Sequence, residues 1–172
     1  AWQTYSMMDF LVSHKGPAFM RLGRAGAPDV FGPDYKFTLG RGDVLKTGRD
    51  ICIFATGFVT GAAVKAAEIL AQKGVSASVV NLGSVKPIDA DLIVQMAGKH
   101  KILFSVEEHS VMGGFGSAIA EVLTTHSPKT LYRLGLQDEF GQSGTPKELL
   151  KYYKLDAEGI AEQVLKCRSV EV

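Results

Sequence analysis

Three adjacent residues, Glu107, Glu108 and His109, hold the densest group of reactive side chains in the sequence. They follow Ile102 to Val106, which reads as a strand. Ligand crevices of open α/β sheets lie at the carboxyl ends of such strands. A carboxylate pair beside an imidazole suits acid–base work. Three successive side chains cannot share a face on an extended backbone, however. The cluster therefore reads better as a solvated loop or an interface contact. Arg21 and Arg24 frame Leu22 and Gly23 at a second expected strand end. A guanidinium there offers a planar fork to a phosphate. The competing reading is a surface ion pair with Asp29 or Asp34, and the residues alone leave both open.

Two glycine-containing turns resemble phosphate cradles. Met112-Gly113-Gly114-Phe115-Gly116-Ser117-Ala118 follows a strand and opens a helix, where backbone N–H groups face an anion. Ile119 stands where a dinucleotide fingerprint needs its third glycine, and no acidic residue ends a following strand at the required distance. A tight turn with close helix–strand contact is the better reading, with a nucleotide-binding regulatory domain as the alternative. Thr56-Gly57-Phe58-Val59-Thr60-Gly61 lacks the Gly-Lys-Ser/Thr ending of a P-loop, so capping and close contact explain it as well. Cys52 sits inside an apolar run and reads as an inert core thiol. Cys167 has no base beside it in sequence, and no Cys/His group has metal-ligand spacing. His14, His100 and His126 fall near helix ends, where the dipole favours an imidazolium. No metal ligand and no catalytic residue is assigned.

The elements that would position these residues alternate. Trp2 to Val12 has helical spacing, stopped by Gly16-Pro17. Ala18 to Leu22 reads as a short buried strand. Glycines, prolines, Asp29 and Asp34 make 23–36 a linker. Phe37–Leu39 and Asp43–Lys46 suggest a hairpin. Ile51 to Ala55 is continuously apolar and fits a central strand buried on both faces. Helix at Val59–Gln72, strand at Val75–Leu82, helix at Asp89–Ala97 capped by Asp89, strand at Ile102–Val106, helix at Phe115–Leu123 and strand at Leu131–Leu136 follow. Two short helices start at Thr145-Pro146 and at Asp156. The pattern predicts an α/β fold: a doubly wound, mostly parallel sheet with helices on both faces.

Composition narrows the class. The chain has 172 residues and a formal charge of +1, which gives no electrostatic case for nucleic acid or an anionic membrane. No apolar run approaches the length of a membrane span, and no signal peptide is visible. Two distant cysteines point to a reducing, cytoplasmic setting. The chain begins at Ala1 inside an expected helix, without a cap, and reads as a fragment of a longer polypeptide.

The motifs taken together, in order, resemble the transketolase family over essentially the whole chain. Gly16-Pro17-Ala18-Phe19-Met20-Arg21-Leu22-Gly23-Arg24 resembles the last strand of the pyrimidine-binding domain. Asp50 to Gly57 resembles the first parallel strand of the C-terminal domain. Val79 to Asp89, with its Lys86-Pro87-Ile88-Asp89 ending, is similar to the segment that follows. So is Val106-Glu107-Glu108-His109 through Gly113-Gly114-Phe115-Gly116, and so is Phe140-Gly141-Gln142-Ser143-Gly144 with Glu148-Leu149-Leu150. The resemblance is to the C-terminal section of a transketolase, with 1-deoxyxylulose-5-phosphate synthase and the beta subunit of 2-oxo-acid dehydrogenases as near rivals. It implies residues 1–22 as the tail of a pyrimidine-binding domain, 23–36 as linker and 37–172 as the C-terminal domain. It implies two-carbon ketol transfer between sugar phosphates with thiamine diphosphate and Mg, both bound by parts absent from this chain, which has no Gly-Asp-Gly motif. The section would serve dimerisation, as a homodimer joined to an N-terminal section, and be inactive alone. Arg24 matches the family arginine that binds the substrate phosphate, and the family's other phosphate ligands lie upstream. A different class of reading keeps 37–172 as a non-catalytic interaction domain.

Overall fold

The structure is a computed structural model, and it describes residues 1–168. Five strands form one sheet: β1 (Asp43–Lys46), β2 (Ile51–Ala55), β3 (Ala77–Asn81), β4 (Ile102–Ser110) and β5 (Leu131–Leu136), in the order β1-β3-β2-β4-β5. β2, β3, β4 and β5 pair in parallel, and β1 is an antiparallel edge against β3. The α-helices among the described residues are α1 (Trp2–Ser13), α2 (Thr60–Gln72), α3 (Ala90–Lys99), α4 (Phe115–His126), α5 (Pro146–Tyr152) and α6 (Ala157–Arg168). A 3-10 turn, Gly57–Val59, leads into α2.

The alternation of side chains along each strand divides the core in two. Ile51, Ile53, Val79, Phe104 and Val106 face α2 and α6. Cys52, Phe54, Val80 and Leu103 face α3 and α4. With helices on both faces, β2 and β3 are buried along their whole length, which is why β2 reads as an unbroken apolar run and β3 as apolar or small residues up to Asn81. The chain passes from β2 to β3 on one side and returns to β4 on the other. The topological switch point therefore lies between β2 and β4, and ligands of such sheets bind beyond its carboxyl end.

Local signals hold where they are chemically specific. Asp89 caps α3 by accepting the Leu92 N–H at 3.0 Å. Its other oxygen accepts the Gly42 N–H at 2.9 Å, tying the approach to β1 onto the helix. Thr145 and Glu148 form a reciprocal capping box at α5, with Pro146 in the first turn. His14 and His100 are the C-caps of α1 and α3, and His126 ends α4. His100 is buried, with Nδ1 2.9 Å from the Met96 carbonyl and Nε2 3.0 Å from Ser78 Oγ.

Two expectations fail. Residues 18–22 form no strand, and Phe19 and Leu22 are exposed rather than buried, because none of the five strands of the sheet pairs with them. Phe37–Leu39 makes no hairpin; β1 pairs with β3, where the sheet offers a continuous edge. α1 likewise buries no residue. Its Trp2, Tyr5, Met8 and Val12 recur every third or fourth position as an exposed apolar stripe. Among the described residues, no helix is long and apolar enough to cross a membrane.

Candidate functional site

β4 runs four residues beyond the expected Val106, to Ser110, and its added length carries the charged cluster. Opposite β5 its register slips: Val106 faces Leu134 and Ser110 faces Leu136. The bulge this creates holds Glu107, Glu108 and His109 at the carboxyl end of the sheet and re-aims them. Glu107 and His109 share one side, and Glu108 points to the other.

Glu107 is fully buried, contrary to the solvated loop expected from its polarity. Its Oε2 accepts the Phe115 N–H at 2.6 Å, its Oε1 accepts the Gly116 N–H at 3.0 Å, and His109 Nε2 lies 2.8 Å from Oε2. These two N–H groups are the first of α4, and the carboxylate meets the positive end of its dipole. The glycine turn is thus an anion cradle already holding an anion from its own chain. Its glycines serve close approach: a Cβ on Gly114 would collide with the Glu107 carboxylate, and one on Gly116 with Ser105 Oγ and Arg133. The nucleotide-binding alternative fails here, because a phosphate would have to displace a buried carboxylate.

Glu108 does the same at the other turn. Its Oε2 accepts the Phe58 N–H at 3.1 Å, at the start of α2's leading turn, and its Oε1 accepts from Arg21 Nη1 at 2.7 Å. The expected partners of Arg21, Asp29 and Asp34, do not bind it; Asp29 instead pairs with the Ala1 amino group. Arg24 is exposed and forms no ion pair among the described residues. Cys52 is fully buried among apolar side chains, which pushes its thiol pKa up and keeps it unreactive.

A polar chain missed at the level of sequence runs beside this site. Thr60 Oγ1 donates to Asn81 Oδ1 at 3.3 Å, and Asn81 Nδ2 donates to Asp43 Oδ2 at 3.2 Å. Tyr35 OH donates to the same Asp43 oxygen at 2.9 Å, and Gln3 Nε2 donates to Tyr35 OH at 3.4 Å. It joins α1, the linker, β1, β3 and α2. The signal in the sequence was Asn81, an amide closing a strand of otherwise apolar or small residues.

The described residues do not fit thiamine diphosphate and Mg. Both helix openings that would face a diphosphate are filled by Glu107 and Glu108, and no described cluster of His, Cys, Asp and Glu could hold a metal. What the fold and site define is an open, mostly parallel α/β domain that supplies its own anions at these two turns.

The comparisons specify the kind. Residues 40–160 match the family model for the transketolase, C-terminal domain. The chain is 36% identical over 168 residues to a putative transketolase C-terminal section of Methanocaldococcus jannaschii, covering 96% of this chain and 52% of that protein. It is 38% identical over 160 residues to a 1-deoxy-D-xylulose-5-phosphate synthase of Caldanaerobacter subterraneus subsp. tengcongensis, covering 92% of this chain and 25% of that protein. The solved structure of a split-gene transketolase, an inactive beta4 tetramer, superposes with a TM-score of 0.90 at 44% identity, covering 95% of this chain and 54% of that one. The chain belongs to the transketolase C-terminal domain family, and it spans about half the length of the transketolase section it matches.

Proposed function

We propose that this chain is the C-terminal section of a thiamine-dependent transketolase that moves a two-carbon ketol unit between sugar phosphates. In this reading 1–22 is the tail of a pyrimidine-binding domain, 23–36 a linker and 37–172 the C-terminal domain. Thiamine diphosphate and Mg are held by parts outside the described residues, so the section is inactive alone. Its contributions are assembly, as a homodimer joined to an N-terminal section, and a contact from Arg24 to the substrate phosphate. The setting is cytoplasmic, in keeping with the thiol at Cys52.

The observation that carries this reading is the state of the two arginines. Arg21 is neutralised by Glu108, whereas Arg24, three positions on, presents an exposed and uncompensated guanidinium. A planar fork in that position matches a phosphate dianion. The likeness to a split-gene transketolase supports the division into two parts. The exposed stripe on α1 supports a covering partner.

In the assembled enzyme, Arg24→Ala raises the KM for a sugar phosphate by the loss of a charge-assisted contact of about 1.5–3 kcal/mol. An unchanged KM would remove Arg24 from the site. The second reading is 1-deoxyxylulose-5-phosphate synthase, favoured by the 38% identity to one. Product analysis separates the two: exchange of ketol units between sugar phosphates against accumulation of a 1-deoxyxylulose phosphate.

A further inference from the structure

We propose that Glu108 is a positioning residue for Arg24: it fixes the course of the segment from which that arginine reaches the substrate phosphate, while touching no substrate itself. The inference rests on the assignment of Arg24 made above.

Residues 18–24 form no strand of the five-stranded sheet, and two side-chain ties hold them against it. Arg21 Nη1 donates to Glu108 Oε1 at 2.7 Å. The backbone at Gly23 lies against the Phe58 ring, since a Cβ there would stand 3.7 Å from Phe58 Cδ2. Both ties end on one unit, because Glu108 Oε2 accepts the Phe58 N–H at 3.1 Å.

Each oxygen of Glu108 therefore has its own partner, one on the arm and one on the turn between β2 and α2. Two partners on separate segments fix the plane of the carboxylate, and the plane fixes the direction from which Arg21 approaches. Glu108 is 17% exposed and Arg21 58%, so the anchor is the sheltered member and the arm the accessible one. Arg24 is three residues beyond the clamp and one beyond the Phe58 contact, so it inherits their placement. Glu108 also neutralises Arg21, which leaves Arg24 as the guanidinium of this arm available to a dianion.

The test uses the complete enzyme, this section with its N-terminal counterpart, assayed with a ketose phosphate and with the same ketose lacking phosphate. Glu108→Gln and Arg21→Gln each raise the KM for the phosphorylated ketose by about five- to twentyfold, because a small misplacement of a binding group is costly. Their kcat and their constants for the phosphate-free ketose stay unchanged. The double variant is no worse than the poorer single one, and Arg21→Lys, which keeps the ion pair, retains most of the affinity. If Arg24→Gln raises that KM but Glu108→Gln and Arg21→Gln do not, the positioning role is refuted and Arg24 stands. If Arg24→Gln leaves it unchanged, the assignment of Arg24 falls and takes this inference with it. An equal loss of kcat on both ketoses in Glu108→Gln also overturns the proposal, since it marks a general structural role.

Discussion

The carboxylate of Glu107 lies 2.6 Å from the backbone nitrogen of Phe115, eight residues further along the chain. One contact ties the end of β4 to the start of α4 across the glycine turn. Being fully buried, it acts at low dielectric, where a charged acceptor strengthens and an orphaned donor becomes expensive. Glu107→Gln keeps the shape but removes the charge from the helix dipole. It is expected to lower the unfolding free energy by about 2–4 kcal/mol. Denaturant midpoints of the two proteins measure this, and a loss under half a kcal/mol would mean the contact is not formed.

Ser105 and Gly116 form a second coupled pair. Ser105 Oγ is buried without a hydrogen-bond partner among the described residues, directly where a Cβ on Gly116 would fall. Ser105→Ala removes a desolvated hydroxyl and should gain about 1 kcal/mol. Gly116→Ala should lose about 1–3 kcal/mol by overpacking. The two substitutions together should cost less than the sum of the separate effects, as a double-mutant cycle on thermal midpoints would read.

Tyr35 makes stability sensitive to alkali. Burial is the main cause that pushes its phenol up to about 12 from an ordinary value of 10.0; the Gln3 hydrogen bond works against it, and donation to the charged Asp43 carboxylate adds to the rise. The neutral form is the one the fold favours. Its contribution is therefore complete below pH 10.0 and is lost as pH rises toward about 12. Tyr35→Phe should flatten the fall in stability over that window. A parallel decline in both proteins would show that other groups cause it.

Asp89 serves α3 and the approach to β1 at once. Asp89→Ala leaves both the Leu92 and Gly42 N–H groups without their acceptor. The expected cost is about 1–3 kcal/mol. Amide exchange should quicken at both positions, including Gly42, which a cap confined to the helix would not affect.

The alternating elements were legible because β2 is apolar on both faces, because β3 is mostly apolar or small, and because Asp89 and Thr145 carry unambiguous capping chemistry. The order of the strands was not, since identical runs suit any interior position. The bulge in β4 was also hidden. Glu107 looks like a surface residue until Phe115 and Gly116 supply its hydrogen bonds, and those lie across a turn that periodicity does not describe. The strand expected at 18–22 shows the reverse limit. Apolar residues there signalled burial, but a strand also needs a pairing partner, and none of the five strands pairs with it. Arg21 was legible as a chemical type; its partner, 87 positions away, was not.

The self-supplied anions of Glu107 and Glu108 have a final consequence. Sheets of this architecture commonly meet the cell's pool of phosphorylated metabolites at these openings, and respond to it. Here the plugs are covalently part of the polypeptide, present at one equivalent whatever the metabolic state. The scaffold's integrity is thereby insulated from fluctuations in that pool.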